Sequence, residues 1–401
     1  MKNKCILIKK IIILLGVILT IIIFPEKRIY ADEINKVEVV EEKIEDQEIN
    51  NQLDSLYNYI NNMKLDVELL NDLDPVQYIK SYVKNGEGNI SFKTIINSII
   101  SFLFKEVKTS LTLSISIIAI AIICSLIKNL QSAFSNDSIS NIAFFSCYCI
   151  LIILLAKSFI VSINIAIDLI NKLSDFMSAL LPVLVMMIST IGGFAQAATL
   201  DPIVLATTLL IPRIYKTIII PLILISFVLQ FVNNISTEYK ISNLCKFTKQ
   251  ITVWLQGIIL VTYIGFLTVR GITSSTIDAV ALKTTKFAVD NFIPIVGKAF
   301  SDAISSVAGY ALIIKNAVSA FGLLTIILMM LYPIIKLILI SFIYKLSASV
   351  IEPITDKRIT SSIVAASDSI TLLISCVLCV SLMFFVIIGI IASAGKFIIG
   401  G

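Results

Sequence analysis

Histidine is absent from all 401 positions. That removes imidazole acid–base catalysis, Ser-His-Asp triads and histidine metal sites together. No G-x-x-x-x-G-K-[ST] segment occurs, so the chain has no phosphate-binding P-loop; G-x-S-x-G, H-E-x-x-H and G-x-G-x-x-G are missing too. Asp290 and Asp302 are twelve residues apart, but Pro294 intervenes and lysines flank both, a poor design for an intramembrane aspartyl pair. Cysteine is missing from residues 32–108, and the Cys376-x-x-Cys379 pair sits inside an apolar run, where it reads as two small buried hydrophobes. The basic residues are scattered and form no aromatic-rich patch, which argues against nucleic-acid binding. These absences point to a chain that is not an enzyme and needs no cofactor or metal.

What is present is apolar length. Hydrophobic residues make up 57% of the chain and the mean hydropathy is +0.95, above the 45–50% apolar content usual in soluble domains. The excess comes as long runs, so the expected class is all-α: a polytopic helical membrane protein with a small N-terminal extracytosolic helical domain. Charge is distributed unevenly. Residues 32–92 hold 14 Asp/Glu against 5 Lys, whereas residues 109–401 hold 18 Lys/Arg against 11 Asp/Glu.

The chain divides accordingly. Residues 1–31 read as a signal peptide, with Lys2, Lys4, Lys9 and Lys10 before the apolar stretch Ile11–Phe24; an uncleaved anchor is the alternative. Residues 32–108 are expected to form an acidic extracytosolic helical region, with a break at Asp72–Pro75 and an interfacial amphipathic helix over 92–108. Residues 109–401 form the membrane domain. Apolar windows near 110–127, 142–163, 177–195, 217–233, 251–269, 317–343 and 370–394 give about seven transmembrane helices. Residues 196–216, interrupted by Pro202 and Pro212, are expected to be a re-entrant or broken helix. Seven spans put Lys240, Lys246, Lys249, Lys345, Lys357 and Arg358 outside, against the positive-inside rule, so six or eight spans stay open.

One stretch in the apolar half keeps its charges at helical spacing, the insert 271–316. Ile277, Ala281, Ala288, Phe292, Ile295 and Ala299 fall near one face, with Lys283, Lys286, Asp290, Lys298 and Asp302 off it. This pattern reads as an amphipathic helix pair broken or kinked at Pro294, lying in the interface or lining a polar path. Charges inside the apolar windows add Lys157, Arg213, Lys216 and Lys336, each of which needs a partner, water or a snorkelling route. The candidate path-lining or partner-contact residues are therefore Lys283, Lys286, Asp290, Pro294, Lys298, Asp302, Lys336 and Arg213.

Four stretches carry a resemblance: Asn291-Phe-Ile-Pro-Ile-Val-Gly-Lys-Ala-Phe-Ser-Asp-Ala303, Pro333 through Ser347, Ser381-Leu-Met-Phe-Phe385 and Thr237-Glu-Tyr-Lys240. Through them the chain, from about residue 90 to its end, resembles the stage III sporulation protein AE family of endospore-forming bacteria. The resemblance implies an integral-membrane component of the channel or secretion-like complex between mother cell and forespore, in the mother-cell membrane around the forespore. It implies as partners the other stage III A-operon proteins, including a separate ATPase, and stage II sporulation protein Q on the forespore side. It implies no catalytic residues. A stand-alone secondary transporter of a small solute or ion remains the alternative, motivated by the broken helix at Pro212 and the buried charges.

Overall fold

A lipid environment offers the backbone no hydrogen bonds, so an apolar chain must satisfy its amides within each segment, as a helix does. The computed structural model describes residues 75–85, 92–131, 137–235, 240–292 and 297–394, and no strand occurs among them. The helices are α1 (Pro75–Asn85), α2 (Phe92–Gln131), α3 (Asp137–Thr190), α4 (Phe194–Ile214), α5 (Ile220–Ile235), α6 (Ser242–Phe292), α7 (Gly297–Ile351) and α8 (Lys357–Ser393). Pro75 opens α1 at the first helical position, where its missing N–H costs nothing.

Six of these segments are long and apolar enough to cross a membrane, where the sequence separates seven windows. The windows 142–163 and 177–195 lie on one helix, α3, of 54 residues. Hydropathy dips between them because Asn164, Asp168, Asn171, Asp175 and Ser178 recur every three or four residues. That spacing puts a polar stripe on one face without interrupting the backbone bonds. The amphipathic segment 92–108 likewise runs straight into the first span as α2, with no interfacial break.

Residues 196–216 also differ from expectation. They are neither broken nor re-entrant: α4 continues through a single π turn, Tyr215–Ile219, into α5. Pro212 supplies no N–H to the carbonyl of Thr208, and Ser174 on α3 donates its hydroxyl to that carbonyl at 2.8 Å. A side chain from the neighbouring helix thus takes over a bond the proline removed. The insert 271–316 is divided between two helices. It extends α6 to Phe292 and begins α7 at Gly297, while Pro294 lies outside the described residues.

Contacts fix the helix directions. Ser114 on α2 bonds Ser347 on α7 at 2.6 Å and Glu106 pairs with Lys336, so these two helices run parallel. Tyr148 on α3 bonds Ser362 on α8 at 2.6 Å, and the Arg358 guanidinium lies 4.3 Å over the Phe144 ring, so the beginnings of α3 and α8 share one end. That end also holds the α5–α6 connection and the α7–α8 turn; it is called the turn end below. There Asp356 caps α8 by accepting from the Arg358 N–H at 2.8 Å. The opposite end, the tip, holds the α3–α4 turn, where Gly192 takes φ 93° and the Gly193 N–H reaches the Ile188 carbonyl at 3.0 Å.

The core is built by close approach rather than by water exclusion, since lipid is as apolar as leucine. α8 is the central helix, buried along its length from Ile359 to Ile391. At Gly322 on α7 a Cβ would meet Leu180 Cδ2 at 2.5 Å, so the missing side chain is what lets α3 and α7 come together. Phe159 stacks on Phe227 at 3.9 Å, and Phe231 meets Phe227 edge-on. Hydroxyl pairs such as Ser341–Ser367 at 2.9 Å add polar links between helices, each worth about 0.6–2 kcal/mol.

Candidate functional site: the charged positions of the bundle

Charges inside an apolar bundle are expensive unless paired. Six arrangements among the described residues show how such charges are held. Lys336, the strongest single cation candidate in the sequence, forms an ion pair with Glu106 at 3.2 Å, and the Glu106 carboxylate is 8% exposed. The partner lies 230 residues away, on the segment expected to be interfacial. Lys216, just past Pro212, donates to the Asn171 Oδ1 at 2.7 Å, and Lys172 pairs with Asp168 at 3.0 Å on the same stripe of α3. Lys249 on α6 pairs with Asp368 on α8 at 3.0 Å.

The other two charges hold helix ends. Asp278 on α6 is buried, and its two oxygens accept from the N–H groups of Ala195 and Gln196, each at 2.8 Å. The carboxylate sits on the positive end of α4, where a helix start leaves amides without partners. Lys315 on α7 is fully buried. Its ammonium donates to the carbonyls of Ile391 at 3.0 Å, Ala392 at 3.2 Å and Ala394, the negative end of α8. An ammonium has three donors, and three carbonyls receive them.

At the turn end an open cavity of about 430 Å³ lies between α5, α6, α7 and α8. Gln230, Asn233, Ser242, Glu352 and Asp368 are among its lining residues. Its polar side chains are bonded within the bundle: Ser242 donates to the Asn233 amide oxygen at 3.1 Å and the Gln230 amide to the Ser226 backbone carbonyl at 3.0 Å. Outside the apolar segments, burial against α7 pushes the Tyr78 phenol above its ordinary pKa, with Tyr82 adding to the rise.

The candidate residues fall on three helices and the segment between two of them. Lys283, Lys286 and Asp290 belong to the last turns of α6, and Lys298 and Asp302 to the first turns of α7; their side chains, like Pro294, lie outside the described residues. Arg213 is exposed at the end of α4. Lys336 is shared with α2 in an ion pair. The residues that sequence reasoning passed over are Glu106, Asp278, Lys315 and Asp368. Asp278, Lys315 and Asp368 are lone charges among apolar or small neighbours, which is the signal that could have marked them, whereas Glu106 is masked by Lys105 and Lys108 beside it.

The family model described as stage III sporulation protein AE matches residues 73–395. The curated protein "Stage III sporulation protein AE" of Bacillus subtilis (strain 168) is 31% identical over 312 residues, covering 78% of this chain and 78% of that one. No solved structure matches. With six helices long and apolar enough to cross a membrane, and a family match from α1 to the end of α8, the chain is a multi-pass membrane protein that belongs to the stage III sporulation protein AE family.

Proposed function

We propose that this protein is a non-enzymatic scaffold or permease-like core of the channel or secretion-like complex that serves endospore formation, seated in the mother-cell membrane around the forespore. One observation supports the scaffold reading above the others. The buried charges are spent on joining helices: Asp278 and Lys315 hold helix ends, and Glu106–Lys336 and Lys249–Asp368 join pairs. Of these described charges only Asp368 borders a cleft with other charged groups, Glu352 and Lys246, and there it is paired with Lys249. Other stage III A-operon proteins, a separate ATPase among them, and stage II sporulation protein Q are the proposed partners. Lys283, Lys286, Asp290, Pro294, Lys298 and Asp302 are the proposed partner-contact or path-lining positions.

The test is isolation of the assembled complex from sporulating cells carrying Lys298→Glu or Asp302→Lys, with spore yield measured in parallel. Loss of partners from the complex, with the protein still present in the membrane, is expected. A complete complex and a normal spore yield would overturn the reading. A second reading, a stand-alone transporter, draws on the polar cavity at the turn end. Saturable solute uptake by vesicles holding only this protein would favour it.

A further inference from the structure

The helices are far too long for one bilayer. α3 alone, with 54 residues, rises about 80 Å at 1.5 Å per residue, against a hydrocarbon core of about 30 Å. The surface of the bundle shows where the lipid stops. On α3 the outward side chains from Ile142 to Val161 include the large apolar Ile142, Phe145, Ile150, Ile153, Ile160 and Val161, with Ser146 and Lys157 exposed among them; Lys157 lies one turn short of Val161, within snorkelling reach of the boundary. Past Val161 the exposed residues of α3 are Asn164, Asp168, Asp175, Ser178, Pro182 and Thr190. The core face of the same helix stays apolar throughout, from Leu169 to Ile188. Only the outward face changes, which marks a change of surroundings rather than of packing.

Charges recur at the same height on the neighbouring helices. On α2 Lys108 and Glu106 follow the exposed apolar residues from Leu126 to Leu111, and Phe104, Ile100 and Ile96 are exposed beyond them. On the π turn and α5 Lys216 and Arg213 follow the exposed apolar residues from Ile235 to Ile218, and Leu210 and Leu209 are exposed beyond them on α4. The exposed apolar band of α7 runs from Val350 to Ile338 and is followed by Lys336. Contacts tie these positions into one level: Lys336 pairs with Glu106, Lys216 bonds Asn171, and Gly322 abuts Leu180, which sets Lys336 beside the Asp168 region. Between Leu111 and Leu126, Ile142 and Val161, and Ile218 and Ile235 the bands rise about 22–29 Å, close to the thickness of the hydrocarbon core. α6 differs: it carries large exposed apolar side chains to Val269 and, past Arg270, at Ile277 and Val280.

A second observation comes from α1. This helix bears Gln77, Lys80, Ser81 and Lys84, yet it packs on α7 with Tyr78 against Phe321 at a ring distance of 5.5 Å. Phe321 lies fifteen residues before Lys336 on α7, about 22 Å beyond the charged level. A helix with that composition belongs in water or headgroups, not in hydrocarbon.

We infer that the bilayer encloses only the half of the bundle between the turn end and the level of Glu106, Asp168, Lys216 and Lys336, and that the other half projects from one face of the membrane as a helical stalk carrying α1. The partner of the apolar band is the lipid bilayer. The stalk comprises α3 beyond Asp168, the start of α2, α4, the tip-end portions of α6 and α7 and the end of α8. Its internal packing is apolar, but its α3 face is wet. It therefore offers a rigid, membrane-anchored surface to whatever lies on that side.

The test is thiol labelling of the full chain in its native membrane, with the seven native cysteines replaced and single cysteines placed by Ser178→Cys, Thr190→Cys and Thr284→Cys on the stalk. Ile153→Cys, Val228→Cys and Phe342→Cys report the band, and Lys240→Cys and Ile354→Cys the turn end. A membrane-impermeant maleimide is applied to protoplasts and to inverted vesicles. The stalk positions should label from one side only and all from the same side. The turn-end positions should label only from the other side, and the band positions from neither. Stalk positions that label only after detergent extraction would overturn the inference, as would stalk positions that label from opposite sides. Since cysteine replacement can disturb folding, Ser178→Asp and Ile153→Asp are compared in the otherwise native chain. The first should leave the amount of membrane-inserted protein unchanged and the second should lower it severalfold; equal loss from both would also overturn the inference.

Discussion

The Glu106–Lys336 pair permits a quantitative test of whether a membrane cation here is structural. Removing Lys336 as Lys336→Met leaves a carboxylate only 8% exposed without its counter-charge. Breaking one side of a buried pair costs about 3–5 kcal/mol; the lower end, about 3 kcal/mol, applies here because Lys336 itself is 24% exposed and so partly screened. Glu106→Gln should cost about 1–3 kcal/mol, since an amide keeps one hydrogen bond to the ammonium but loses the charge. The double variant should cost clearly less than the two singles added, with a coupling of about 2 kcal/mol. The reversed pair, Glu106→Lys with Lys336→Glu, should recover much of the loss. The assay is reversible unfolding of the purified protein in mixed micelles, followed by the fluorescence of the lone tryptophan, Trp254. Additivity within about 0.5 kcal/mol would refute the reasoning. Full stability of Lys336→Met together with loss of sporulation would instead return Lys336 to the role of a functional cation.

The remaining expectations concern the helix ends and the lipid face. Lys315→Met should destabilise the tip end by about 2–4 kcal/mol, because the carbonyls of Ile391, Ala392 and Ala394 lose a charged donor; earlier proteolysis after α8 would report it, and an unchanged cleavage rate would contradict it. Asp278→Ala should cost about 1–2 kcal/mol through loss of the α4 cap, with Asp278→Asn intermediate, read by amide exchange at Ala195 and Gln196. Trp254, 62% exposed on α6 within the apolar band, should be quenched by brominated lipids and spared by aqueous iodide; the reverse pattern would misplace the band. Gly322→Leu should cost about 1–3 kcal/mol by overpacking against Leu180, measured by thermal unfolding.

The sequence alone settles the class of the protein. Long apolar runs without histidine or nucleotide-binding motifs define a helical membrane protein, because only closed internal hydrogen bonding survives in lipid. The family is legible in the sequence as well, and its match spans residues 73–395. Span number was less legible. Hydropathy windows register the polar stripe on α3 as a gap, although a stripe on one helical face leaves the backbone ladder intact. Pro212 reads as a break because a sequence window cannot show that Ser174, 34 residues earlier, donates to the carbonyl the proline abandons. The charges were visible one by one, and their meaning was not. Lys336 and Glu106 are separated by 230 positions, Lys249 and Asp368 by 119, and Lys315 reaches carbonyls more than 70 residues ahead. Pairing of that kind is a property of helix directions and heights within the bundle. Only the tertiary structure sets those, and with them it decides which charges are struts and where the lipid-facing surface gives way to a polar one.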